Sequence, residues 1–270
     1  MNIFSELFEY SFMTRAVIAG ILVSLCSSLL GVSLVLKRYS MIGDGLSHVS
    51  FGALAIAAAL NTAPLAVSIP LVIIAAFFLL RITESGSMRG DAAIAVFSSS
   101  SLAIGIIVTG LTTGITTDVC NYMFGSVLAM SRTDVYISVI LSFAVLALFV
   151  VFYNRIFAVT FDEPFSRATG VRVDLYNSAL AVLTAVTIVL GMRIMGALLI
   201  SSLIIFPALS AMRVCRYFKG VIICAAVIST VCFFIGICAS FYLEIAVGAS
   251  VVIANLIVFI TFSLAARLRR

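Results

Sequence analysis

Residues 16–36 read AVIAGILVSLCSSLLGVSLVL, 21 consecutive positions without a charge. A helix needs about 20 apolar residues to cross the hydrocarbon core of a bilayer. The run is too long for the apolar part of a signal peptide, and no AxA-like cleavage motif follows it. It therefore reads as a first membrane span. Upstream, Phe4, Leu7, Phe8 and Phe12 are mixed with Glu6 and Glu9, the pattern of an interfacial segment. Downstream, eight more apolar runs follow at 41–60, 63–80, 92–111, 135–153, 174–191, 194–212, 220–240 and 245–265. The chain is expected to be an all-α, polytopic helical membrane protein with one domain over residues 1–270. Nine spans are expected; the short turns around Asn61 and at 191–193 leave eight to ten open.

Composition agrees. The chain is 63% hydrophobic and 10% charged, against about 45–50% and about 25% in an ordinary soluble domain. Its mean hydropathy is +1.29. Twenty-seven charged residues cannot cover the surface of a soluble protein of 270 residues. A soluble enzyme, a disordered chain and a disulfide scaffold are excluded. The net charge of +5 does not signal nucleic-acid binding, because no basic run occurs before the last four residues. The six cysteines, at 26, 120, 215, 224, 232 and 238, form no CxxC pair and read as small buried hydrophobes.

The basic residues orient the chain. Thirteen Lys or Arg fall in loops 37–40, 81–91, 154–173, 213–219 and the tail 266–270. Three, Arg15, Arg132 and Arg193, fall in the alternate set. Cytoplasmic loops carry the excess of Lys and Arg. The expectation is an outside N-terminus and a cytoplasmic C-terminus, which fits an odd number of spans.

Polar residues inside spans are costly and therefore informative: a charge at mid-bilayer costs about 2.5–3.5 kcal/mol on insertion scales. Asp44 and His48 lie in MIGDGLSHVS, residues 41–50, and His48 is the single histidine of the chain. At i, i+4 spacing the two share one helix face. A carboxylate and an imidazole meeting at one point suit a divalent first-row cation. A proton relay and a structural Asp–His hydrogen bond are the other readings. Two ligands make a weak site, as a transport site should be, and a two-fold dimer would supply four.

Other features have a bland and a functional reading. Residues 112–134 are too polar to span and read as a short helix folded back at the outer face. Asp118 would cap that helix, or Asp118 and Asn121 would line an outer mouth that attracts cations. Phe161-Asp-Glu-Pro-Phe-Ser-Arg-Ala-Thr-Gly170 reads as a short helix starting at Asp162 and stopping at Gly170. So short a helix must dock on something; the alternative is an interfacial loop. Pro207 lies within an apolar span, as a packing kink or as a gate. Asp91 reads as an N-cap. Asn255 reads as an interhelical hydrogen bond. Small residues are dense at 98–101, Gly191, Gly196, Ser201, Ser202, Ala208, Ser210 and Ala211, which suits close helix packing in lipid.

Three blocks carry a family resemblance. They are Leu34-Val-Leu-Lys-Arg-Tyr-Ser-Met-Ile-Gly-Asp-Gly-Leu-Ser-His48, similar to a G-D-x-L-S-H signature; Asp91-Ala-Ala-Ile94 with its Ser/Ala-rich helix; and the 161–170 segment followed by Met195-Gly-Ala-Leu-Leu-Ile-Ser-Ser-Leu-Ile-Ile-Phe-Pro-Ala208, similar to a G-x-L-L-x-x-x-L-L-x-x-P-A block. Over about residues 12–265 the chain resembles the permease subunit of bacterial ABC importers for zinc, manganese or iron. The resemblance implies a homodimeric membrane core in the bacterial cytoplasmic membrane. Two cytoplasmic ATP-binding subunits would drive it, and an extracytoplasmic metal-binding protein would deliver the ion. It implies that Asp44 and His48 line the path, with Ser47 matching the signature serine. It implies that 161–170 is the coupling helix, carried by Asp162, Glu163, Phe165, Arg167 and Gly170. The cargo would be a zinc, manganese or iron ion, with no permanently bound cofactor. Without a histidine beyond His48 the residues do not choose among these metals.

The chain has no GxxxxGK[ST] loop, so ATP hydrolysis is expected in a separate subunit and this chain is not itself an enzyme. Two rivals remain: an ABC permease for a metal chelate such as a siderophore, haem or cobalamin, and an ion-coupled secondary transporter. No inverted repeat favours the latter. A metalloprotease is disfavoured by one histidine and no HExxH.

Overall fold

The structure is a computed structural model that describes residues 11–84, 90–112 and 132–268. Its described residues form eleven helices in chain order: α1 Ser11–Leu36, α2 Ile42–Ala59, α3 Pro64–Glu84, α4 Gly90–Leu111, α5 Arg132–Val151, α6 Tyr153–Phe161, α7 Glu163–Ala168, α8 Val173–Met195, α9 Ala197–Val214, α10 Phe218–Leu243 and α11 Val247–Leu268. Eight of these are long and apolar enough to cross a bilayer, and α9 contains a shorter apolar helix, Leu199–Val214. All nine expected runs are therefore helical.

Local chemistry sets the boundaries. α1 stops where Arg38 takes φ +62°, and Tyr39 N–H returns to Leu34 O at 2.8 Å, a left-handed C-cap. Pro64 opens α3, where its missing N–H is harmless. Gly196, at φ +90° and ψ 161°, separates α8 from α9, a backbone state that a side chain would resist. The turn was expected at 191–193; instead α8 runs through those residues to Met195. Gly191 is a packing position: an added Cβ would lie 2.2 Å from Ile200 Cδ1. Phe152 breaks α5 from α6, so 153–161 is helix where the sequence indicated a loop. Phe157 of α6 stacks near Phe218 with ring centroids 4.9 Å apart, which anchors this helix.

The most enclosed helix is α8, with 83% of its apolar window buried, whereas α4 and α11 bury 22% each. α8 and α9 pack against each other at the centre, and each packs against both α1 and α2. Helices in lipid associate by close packing rather than by water expulsion, and the glycines show where. A Cβ on Gly31 of α1 would sit 2.1 Å from the carbonyl oxygen of Ile204 in α9. Because that neighbour is backbone, no side-chain rotation could make room. Polar ties add to the packing: Ser229 Oγ donates to Ser24 O at 2.9 Å, joining α10 to α1. Asn255, expected to bond across helices, instead donates from Nδ2 to Val251 O of its own helix at 2.9 Å.

Side-chain contacts define the two ends of the bundle. At one end Lys37, after α1, meets Glu163 of α7 and Asn177 of α8. At the other, Arg193 near the end of α8 meets Asp134 at the start of α5. Across 23 residues α8 is about 34 Å long, enough for one membrane crossing.

Candidate functional site

The first turns of α2 pack against two helices at once. A Cβ on Gly43 would lie 3.0 Å from Ile204 Cδ1 of α9, and one on Gly45 would lie 2.6 Å from Ile94 Cγ2 of α4. Successive helical residues are rotated by about 100°, so Asp44 falls between these contact directions. It therefore looks out of the seam between α9 and α4. His48, one turn on, shares that direction. The side chain of Asp44 is 37% exposed, so the carboxylate is accessible, while that of His48 is 17% exposed and mostly enclosed.

His48 Nε2 and Asp44 Oδ2 are 3.8 Å apart. That is too long for a hydrogen bond, so the structural Asp–His bond considered from the sequence is not formed. The separation suits two donors on one ion, since metal–N and metal–O bonds run about 2.0–2.2 Å. Among the described residues no group of three or more His, Cys, Asp or Glu could hold a metal. The described part of the chain therefore offers two such donors here, Asp44 and His48.

Asp44 lies in the first turn of α2, seven residues after Lys37, so the pair sits toward one end of the bundle rather than at its middle. There the positive end of the helix dipole favours a carboxylate, which lowers the cost of keeping a charge near lipid. Ser47 is buried and donates its hydroxyl to Asp44 O at 2.7 Å, tightening the turn that carries the carboxylate. Asp118 and Asn121, with the proposed folded-back helix, lie outside the described residues. Pro207 is buried within the unbroken α9, three residues beyond Ile204, whose backbone abuts Gly31 and whose side chain abuts Gly43.

The 161–170 segment forms α7. Asp162 is its N-cap, with Oδ1 accepting from Phe165 N–H at 2.9 Å, and Pro164 stands in the first turn. Gly170 ends it at φ +82°, and Val171 N–H closes onto Ser166 O at 3.0 Å. Phe165 is a large apolar side chain left 65% exposed among the described residues. Arg167 bridges Glu163 at 3.5 Å and Asp174 of α8 at 2.8 Å. Asp91, expected as an N-cap, lies inside the first turn of α4 instead.

Sequence reasoning missed the partners of four residues. Lys37, 7% exposed, lies 3.5 Å from Glu163 Oε2 and 2.5 Å from Asn177 Oδ1; in the sequence it is one of the basic loop residues. Asn177 is a buried amide in an apolar helix, a signal that was available. Arg193 and Asp134 form an ion pair at 2.5 Å, with side chains 7% and 13% exposed. The pair borders a cleft of about 510 Å³ lined also by Pro64, Ile69 and Ile137.

The sequence profile of the ABC 3 transport family matches residues 9–266. The chain belongs to the ABC 3 transport family. The high-affinity zinc uptake system membrane protein ZnuB of Haemophilus influenzae is 30% identical over 91% of this chain and 94% of its own length. The manganese transport system membrane protein MntC of Listeria monocytogenes is 27% identical over 95% of this chain and 91% of its own. The solved PsaBC of Streptococcus pneumoniae, in complex with Fab, superposes at TM-score 0.88 with 26% identity and covers 99% of both chains. An inward-facing metal-chelate type ABC transporter shares the fold at TM-score 0.77 and 13% identity. As an ABC 3 family member the chain is a polytopic transport permease, and the secondary-transporter reading falls away.

Proposed function

We propose that this chain is the membrane permease subunit of an ATP-driven importer of a divalent transition metal ion, zinc, manganese or iron, and that Asp44 and His48 are its ion-binding half-site. The observation that carries this is the opposed carboxylate and imidazole, 3.8 Å apart in the first turns of α2, with Asp44 37% exposed. The zinc and manganese systems named among its relatives support the cargo class. Two copies about a two-fold axis would bring four ligands together. The carboxylates offset the cost of drawing a doubly charged ion out of water. A site of few ligands per chain lets the ion leave again.

An extracytoplasmic metal-binding protein delivers the ion at the outer side, and cytoplasmic ATP-binding subunits grip Phe165 and the rest of α7. Their closure shifts α7 and switches access between two states of the dimer. The charge bias of the loops supports the same orientation, with the α7 end cytoplasmic. The direct test is metal content: cells lacking this chain should take up less of one of the three metals, and restoring the chain should restore it. Equal uptake with and without the chain overturns the assignment.

Phe165→Glu tests α7. The side chain is exposed, so folding should change by no more than about 0.5 kcal/mol. Transport per ATP hydrolysed in the reconstituted complex should fall about tenfold, the size of an ordinary coupling energy. An unchanged ratio would return α7 to a plain interfacial turn.

A further inference from the structure

One ionic cluster at the α7 end is not used by the ion-binding reading. Lys37 Nζ contacts Asn177 Oδ1 of α8 at 2.5 Å and Glu163 Oε2 of α7 at 3.5 Å, while the side chain is 7% exposed. Arg167 links the same Glu163 to Asp174 of α8 at 2.8 Å. An ammonium so enclosed is expensive unless held by partners, so its place is fixed by α7 and α8 together. Glu163 is 40% exposed and carried on a six-residue helix.

The chain that follows Lys37 has no slack. Arg38 N–H bonds Val35 O at 3.1 Å, Tyr39 N–H bonds Leu34 O at 2.8 Å, Ile42 N–H bonds Tyr39 O at 3.0 Å and Gly45 N–H bonds Met41 O at 3.1 Å. These bonds run without interruption from the last turn of α1 into the first turn of α2, which holds Asp44. A displacement applied at Lys37 therefore reaches Asp44 through hydrogen-bonded backbone rather than through a flexible loop.

We propose that Lys37 is the positioning residue that carries motion of α7 to the Asp44–His48 pair. When α7 moves with the ATP-binding subunits, Glu163 draws Lys37, and the 37–41 turn rotates the start of α2. The carboxylate of Asp44 then changes its direction in the seam. Lys37 itself touches no ion. The inference rests on α7 being the coupling helix, and its test separates the two.

The experiment uses the full permease with its ATP-binding subunits in sealed vesicles, and reads metal moved per ATP hydrolysed. Lys37→Met should leave the complex assembled and hydrolysing ATP, and lower this ratio about tenfold, as loss of a coupling energy does. Lys37→Arg should keep the ratio, because a guanidinium can still bridge Glu163 and Asn177. Lys37→Glu combined with Glu163→Lys should recover transport relative to Lys37→Glu alone. A wild-type ratio in Lys37→Met overturns the proposal. If Lys37→Met does not accumulate in the membrane, the reversal pair decides: a double variant no better than the single one overturns it. If Phe165→Glu uncouples while Lys37→Met does not, α7 stands as the coupling helix and only the Lys37 route is lost. If Phe165→Glu leaves coupling intact, the reading of α7 fails first.

Discussion

Asp44→Ala and His48→Ala should each reduce metal uptake to background while the protein still inserts and still assembles with its ATP-binding partner. In the proposed site each variant removes one of two ligands per chain, so a two-fold dimer would drop from four ligands to two. Loss of even an outer-shell partner of a metal ligand costs about 10–100-fold, and loss of a direct ligand should cost at least as much. Folding should be spared, because the two side chains are 3.8 Å apart and do not bond each other. The close backbone approaches of α2 are made at Gly43, Gly45 and Gly52, which both variants leave unchanged. The measurement is radiolabelled metal uptake normalised to membrane-inserted protein. Wild-type uptake in either variant would remove the pair from the path.

Arg193→Ala should produce the largest loss of stability. It leaves Asp134 at 13% exposure without the guanidinium that lies 2.5 Å away. Breaking a buried pair from one side typically costs about 3–5 kcal/mol, because the remaining charge loses its counter-charge. The pair lies where α8 ends and α5 begins, so the loss should appear as a lower unfolding temperature in detergent. Adding Asp134→Asn to Arg193→Ala should recover part of that loss, since the charge that lost its counter-charge is then gone. Equal unfolding temperatures for Arg193→Ala and the wild type would show that the pair contributes no net stability.

The apolar runs were legible because hydropathy over about 20 residues is a local property. All nine were located from sequence, and all nine lie in helices. The boundary between α8 and α9 was placed some four residues early. Gly191 and Gly196 look alike in sequence; one fills a tight contact with Ile200, and the other supplies a positive φ. The 153–161 helix was missed because its short run has no span-like hydropathy, and its anchor is Phe218, 61 residues away from Phe157. For Asn255 the sequence correctly indicated a buried amide, while the partner lies on its own helix.

In the site, the i, i+4 relation of Asp44 and His48 is written in the sequence, as are the Asp162 cap and the Gly170 stop around α7. These are short-range facts, set by the period of a helix and the chemistry of its ends. Which charges meet across the bundle is a different matter. Lys37 with Asn177 is a contact across 140 residues, and Arg193 with Asp134 across 59. Each of these residues looked like one more loop charge or one more polar position in a span. The amino-acid order alone determined that this is a many-span helical permease carrying an acid–imidazole pair. Only the tertiary structure decided that Lys37 meets Glu163 of α7 and Asn177 of α8, and that Asp134 meets Arg193, because partners in a packed bundle are selected by helix arrangement, which no local pattern encodes.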